Sequence, residues 1–164
     1  MKLIDKCHFV IGAPIANINT AWDNTTYALG DYVNMANYSH LTIVLIGGAS
    51  AGGTGAITVK QATDATGTSA KNVTVANRYL QTGTSSASDT WVKTTVTSNT
   101  WTHPATANLC NIVEIDAASL DKDNGFTWVA INITSAGGTT NMCALYILSD
   151  PRQISAETAP TAIA

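Results

Sequence analysis

After Tyr38 this chain breaks into short runs of β-branched and aromatic residues divided by Gly, Asn, Asp and Ser, and that punctuation constrains its fold more than any other feature. The spacing predicts strands at Leu41–Ile46, Ala56–Ala62, Asn72–Leu80, Thr90–Val96, Leu109–Asp116, Phe126–Thr134 and Met142–Leu148, with an eighth around Tyr32–Ala36. "LTIVLI" is apolar on both faces, which predicts a central strand, whereas Ile57, Val59 and Gln61 set against Ala56, Thr58 and Lys60 predict one dry face. No stretch carries the period of an amphipathic helix, and "DAASLD" (116–121) suffices for one turn. Short antiparallel strands joined by loops of Greek-key length predict an all-β, single-domain antiparallel β-sandwich, jelly-roll-like, though other sandwiches fit the same pattern. Its core is expected from Leu41, Ile43, Leu45, Ile57, Val59, Ile112, Val113, Trp128, Ile131, Leu145 and Ile147.

At 164 residues and 17.1 kDa the chain fits one domain with a substantial core. Only 12% of it is charged, about half the usual share, so Thr, Ser and Asn carry the polar load. Eight Lys plus Arg against eleven Asp plus Glu give a net charge of -3 with no basic cluster, which argues against nucleic acid as a partner. Cys7, Cys110 and Cys143 are odd in number and lack a C-x-x-C pair, so neither a disulfide framework nor a zinc site is expected. Cys110 and Cys143 lie in apolar runs and read as core packing. Asp5, Lys6, His8 and Pro14 interrupt the N-terminal apolar patch, so no leader is expected to be cleaved, and no run approaches the roughly 20 apolar residues of a membrane span.

Motifs for chemistry come close and then fail. Gly47 to Thr54 nearly supplies a Walker-type loop, but the lysine that reaches the outer phosphates is missing and a strand pattern, not a helix, follows. Strand, glycine-rich turn, strand predicts a hairpin instead. "LDKDNGF" (120–126) begins like a calcium loop, yet Gly125 falls fifth rather than sixth and Asn132 stands where the bidentate glutamate belongs; Asn124-Gly125 predicts a tight turn. His8, His40 and His103 are scattered, with no nucleophile motif nearby. The expectation is no catalytic residue, no cofactor and no metal, and hence not an enzyme. Among the tryptophans, Trp91 and Trp128 read as core, while Trp22 and Trp101 are the candidates for contact with a ligand such as a sugar.

Residues 1–31 and 151–164 differ from the middle. They are weakly periodic and punctuated by Gly or Pro, with scattered apolar residues, which predicts an N-terminal arm and a C-terminal tail flanking a sandwich over 32–150. Ile15, Ile18, Trp22, Arg152 and Ile154 are the candidate partner-binding residues.

Two stretches carry a resemblance. "YVNMANYSHLTIVLIGGASAGGTGAITVKQATDATGT" and "VEIDAASLDKDNGFTWVAINITSAGGTTNMCALYILSDPR" resemble the two halves of the small capsid decoration, or cement, proteins of tailed bacteriophages. Leu120, Asp121, Gly125, Phe126, Pro151 and Arg152 match as structural elements. The resemblance implies a jelly-roll-like protein on the outer surface of the virion head, made in the bacterial host cytoplasm. Its implied partners are the major capsid protein and further copies of itself, as a homodimer or homotrimer. A carbohydrate-binding β-sandwich of a phage fibre or bacterial surface, binding through Trp22 or Trp101, is the alternative.

Overall fold

The computed structural model describes residues 3, 6–17, 31–49, 55–82, 90–103, 108–134 and 140–152. Ten strands run through them: β1 (His8–Asn17), β2 (Val33–Asn34), β3 (Tyr38–Gly47), β4 (Ile57–Ala62), β5 (Lys71–Asn72), β6 (Asn77–Thr82), β7 (Val92–Thr95), β8 (Leu109–Asp116), β9 (Trp128–Ile133) and β10 (Asn141–Pro151). They form a six-stranded sheet, β1-β10-β3-β8-β6-β7, and a four-stranded sheet, β2-β9-β4-β5. Every pairing is antiparallel. Setting aside the β6–β7 hairpin leaves four strands on each side. The chain crosses between sheets at β1–β2, β2–β3, β3–β4, β5–β6, β8–β9 and β9–β10, which is the interleaving of a jelly-roll sandwich.

Inward-facing residues alternate along each strand and meet in one core. Leu41, Ile43 and Leu45 from β3, Val113 and Ile115 from β8, and Ala144, Tyr146 and Leu148 from β10 pack against Ile57 and Val59 of β4 and Val129, Ile131 and Ile133 of β9. "LTIVLI" lies in β3, the third strand of six, with both edges occupied, as its two-sided apolar pattern requires. The dry face of β4 is Ile57, Val59 and Gln61; the amide of Gln61 is buried because its Oε1 accepts the Asp121 N–H at 2.9 Å.

Several expectations need correction. Gly47–Gly55 does not turn a hairpin, since β3 and β4 belong to different sheets and both edges of β3 are already paired with β10 and β8; residues 50–54 lie outside the described residues. The run 72–80 is two strands, β5 and β6, because the chain changes sheets through Val73 and Val75, both buried. The N-terminal segment 1–31 is not arm throughout: β1 pairs with β10 from His8↔Leu148 to Asn17↔Asn141, with Val10 and Ala13 in the core. Gly12 and Pro14 mask its alternation, and both are tolerated because β1 is an edge strand with register shifts on either side of Ala13.

In β8 and β10 the phase is opposite to part of the expected core. Ile112, Leu145 and Ile147 face outward and are half-buried, while Asn111 and Tyr146 face inward. Trp128 is also half-buried, lying on the outer side of the four-stranded sheet against Tyr32, Ala62 and Ala130. Trp101 is buried, 7% exposed, and its backbone exchanges hydrogen bonds with Ile57 at 2.7 and 3.1 Å, whereas Trp91 is 41% exposed. The expected roles of these two tryptophans are therefore reversed.

The Asn124-Gly125 turn forms as a 3-10 turn over Lys122–Asn124 ending on Gly125 at φ 81, a conformation that favours glycine. Asp121 is committed within it: Asn124 Nδ2 donates to its carboxylate at 2.9 and 3.0 Å, and Lys71 Nζ pairs with it while lying 4.0 Å from the Phe126 ring centroid.

Candidate functional site

The two sheets present unlike outer faces. On the four-stranded sheet the outward positions are Thr58 opposite Asn132, with Thr58 Oγ1 donating to Asn132 Oδ1 at 3.3 Å, Lys60 opposite Ala130, and Ala62 opposite Trp128: polar at Thr58, Asn132 and Lys60, with a small apolar cluster of Trp128, Ala62, Ala130 and Tyr32 at one end. An antiparallel sheet with one solvated face ordinarily looks like this.

The outer face of the six-stranded sheet is apolar. One row across the strands reads Ile11, Leu145, Val44, Ile112 and Tyr79, each the register partner of the next. The row on one side reads Cys143, Ile46 and Cys110, and the row on the other begins Phe9, Ile147. The central members shelter one another and are half-buried, but Ile11 is 67% exposed and Ile46 50% exposed. Isolated exposed apolar residues are ordinary, whereas a contiguous field of them on one sheet face is the pattern by which interaction surfaces are recognised. The sequence encodes it plainly, because the outward positions Val44, Ile46, Cys110, Ile112, Cys143, Leu145 and Ile147 of β3, β8 and β10 are apolar like most of the inward ones.

Cys110 and Cys143 belong to this face and are partly exposed, not core residues as their apolar runs suggested. One strand, β3, separates them, with Ile46 between. Burial foremost, and then the neighbouring Cys143, pushes the Cys110 thiol up, so it stays a neutral apolar group.

A polar corner bounds the field where β3 and β8 end. His40, the register partner of Asp116, places Nδ1 2.9 Å from Asp116 Oδ1 and pairs through Nε2 with Glu114 Oε2, which also accepts from Thr42 Oγ1 at 2.8 Å. Burial alone lowers the His40 pKa, but the bonds to Asp116 and Glu114 outweigh it and hold the imidazole above its ordinary value. A histidine raised on folding contributes stability that is present below its unfolded pKa, about 6.5, and is lost as pH rises through the higher folded value. The stabilisation of wild type over His40→Gln, measured from urea midpoints, should therefore be present at pH 5.5 and shrink toward zero at pH 8.5. Solvent screening keeps it below about 1 kcal/mol. A gap that widens as pH rises would contradict the bridge. Among the described residues no group of three or more His, Cys, Asp or Glu is placed to hold a metal ion.

Of the candidate partner-binding residues, Ile15 projects from β1, 78% exposed. Arg152 follows β10, exposed, with its N–H donating to the Asn37 carbonyl at 2.9 Å. Ile18, Trp22 and Ile154 lie outside the described residues. The structure thus places Ile15 on the edge strand beside the apolar field and Arg152 on the far side of β10's last pairing with Tyr38. The field itself was not singled out as a site from the sequence, although its signal, the doubly apolar strand, was visible. His103 is buried with its ring Nε2 donating to the Gly48 carbonyl at 2.9 Å, which ties down the start of the glycine-rich loop. No protein-family model matches this chain, and a search of curated proteins returns no match.

Proposed function

We propose that this chain is a structural virion protein that binds the outer surface of a tailed-phage head and stabilises its shell. The observation that carries the reading is the contrast between the two outer faces: one with polar positions and only a small apolar cluster, one a broad apolar field suited to permanent contact with another protein surface. A protein that works by packing in many copies needs a rigid scaffold, few charges and a large apolar contact surface, and the resemblance to cement proteins in two long stretches points the same way. In this reading Ile15, Ile18, Trp22, Arg152 and Ile154 contact the major capsid protein, and the many identical contacts of the shell add avidity to each weak one.

A test by removing residues 1–31 would delete β1 and open the sheet, so point changes serve better. Undecorated heads incubated with the full-length protein should bind it on sedimentation and rupture at a higher temperature. Ile15→Asp combined with Trp22→Ala and removal of residues 153–164 should reduce occupancy about tenfold or more, equivalent to about 1.4 kcal/mol. Failure of the wild-type protein to bind heads, or undiminished binding by the altered protein, would refute the corresponding half of the proposal. The carbohydrate-binding alternative loses Trp101, whose ring is buried. It would be revived by glycan binding that disappears with Trp91→Ala.

A further inference from the structure

We propose that Arg78 and Asn111, at the open edge of the sandwich, hold a small monovalent anion of the chloride or formate kind. The inference concerns the interior between the sheets and does not depend on how the protein meets a head.

Register brings the two residues together. Asn111 of β8 pairs with Leu80 of β6, and Arg78, two positions earlier on β6, shares its inward side. Arg78 Nη1 donates to Asn111 Oδ1, which fixes the orientation of the amide and leaves its Nδ2 turned away. Asn111 is fully buried, yet neither its Nδ2 nor the buried Nε of Arg78 has a hydrogen-bond partner among the described residues. Buried polar atoms are nearly always paired, so two orphans on one bonded pair of side chains mark a place for a ligand.

Both orphans are donors, and that selects the chemistry of the ligand. A water molecule accepting from them would need acceptors for its own two hydrogens. Asn111 Oδ1 is already taken by Arg78, and β8 is paired on both edges at Asn111, so its carbonyls there belong to the ladder. An anion only accepts. Charge points the same way: the ion pairs among the described residues join His40 to Glu114 and Asp116, and Lys71 to Asp121, so no carboxylate answers the half-buried guanidinium. Burial accordingly pulls the Arg78 pKa down with no opposite charge to raise it. A charge withdrawn from water without a counter-charge is costly, and a bound anion removes that cost. One guanidinium calls for one negative charge, and two N–H donors for a compact acceptor.

The site has an entrance. Val92 of β7 pairs with Leu80 and lies on the same inward side, yet it is 57% exposed, so the sheet is uncovered at this edge and an ion reaches the guanidinium from solution. Since Arg78 belongs to the β6–β7 hairpin and Asn111 to β8, the ion fastens the hairpin to the rest of the sheet from inside.

The test is the thermal midpoint of the full-length protein in sodium chloride against sodium gluconate, whose anion is too large for the site, at one ionic strength. Chloride should raise the midpoint saturably, by about 5 °C or more at a hundred times its dissociation constant, and formate should act likewise. Arg78→Met removes the charge and keeps the apolar stem, so the chloride response should vanish. Asn111→Asp should abolish it for the opposite reason, because the introduced carboxylate supplies the counter-charge, and in gluconate this variant should melt above the wild type. In crystals soaked in sodium bromide, anomalous scattering should place an ion beside Arg78 Nε and Asn111 Nδ2, a readout that stands even where a variant fails to fold. Wild-type midpoints that coincide in chloride and gluconate would overturn the proposal and assign the two donors to water. A chloride response that survives in either variant, or bromide at the surface as an adventitious ion only, would overturn it as well.

Discussion

Tyr146→Ala should lower the free energy of unfolding by about 3 to 5 kcal/mol, the range for deleting a buried aromatic ring, measured by urea denaturation. Tyr146 lies in the middle of β10, fully buried, and its hydroxyl oxygen accepts the N–H of Ile131 at 2.8 Å from the opposite sheet. That N–H needs a partner because β2 pairs with β9 only at Val129 and Trp128 and stops short of Ile131. The phenol takes the place of a missing neighbouring strand. Burial above all raises its pKa well beyond the ordinary phenol value, so the ring stays neutral at any pH the fold survives. Tyr146→Phe keeps the ring and orphans the Ile131 N–H, at a cost of about 1 to 3 kcal/mol. The difference between the two variants separates packing from hydrogen bonding. A loss below about 0.5 kcal/mol for Tyr146→Phe, within the scatter of ordinary surface changes, would mean that the N–H finds another partner.

The second large effect is expected at Gly12. A Cβ added there would lie 2.2 Å from Tyr146 Cζ and 2.3 and 2.5 Å from its two ε carbons. The glycine is required for space rather than for backbone conformation: the ring lies over β1 where a side chain would otherwise point inward. Since the ring is held by close packing and by Ile131, it cannot swing aside, and Gly12→Ala should cost about 2 to 3 kcal/mol through overpacking. In a Tyr146→Ala background the same substitution meets a cavity and should cost far less, giving a coupling energy above about 1 kcal/mol in a double-mutant cycle. Additive effects, within about 0.5 kcal/mol, would show that the two residues do not share that space.

These two residues also show how far sequence reasoning reaches. Strand existence was legible wherever β-branched runs stood between turn residues, and β8 was bounded as Leu109–Asp116 in both readings. The side to which each strand turned was not. Alternation specifies a face only when one face is polar, and in "CALYIL" (143–148) both are apolar, so Leu145 and Ile147 were expected inside and Tyr146 was overlooked. Connectivity was hidden for a different reason: a glycine-rich loop such as 47–55 has the same composition whether it turns a hairpin or carries the chain to the other sheet. β1 was missed because Gly12 and Pro14, which make it a bulged edge strand fitted around Tyr146, are the residues that ordinarily end a strand. The candidate surface failed to register for the converse of the phase problem. The doubly apolar pattern was read as burial within one chain, and the structure turns half of it outward.

The placement of β10 between β1 and β3 governs the order in which the molecule can assemble. Neither neighbour can be satisfied until Asn141–Pro151 has emerged from the ribosome, well over a hundred residues after β1. Until then β3 can pair only with β8, and β1 has no partner in its sheet. Pairings this distant in sequence have a large loop-closure entropy, so folding should be slow for a protein of this size. In that interval the apolar edges of β1 and β3 remain open to the same strands of other nascent chains, so high expression at elevated temperature favours aggregation over folding.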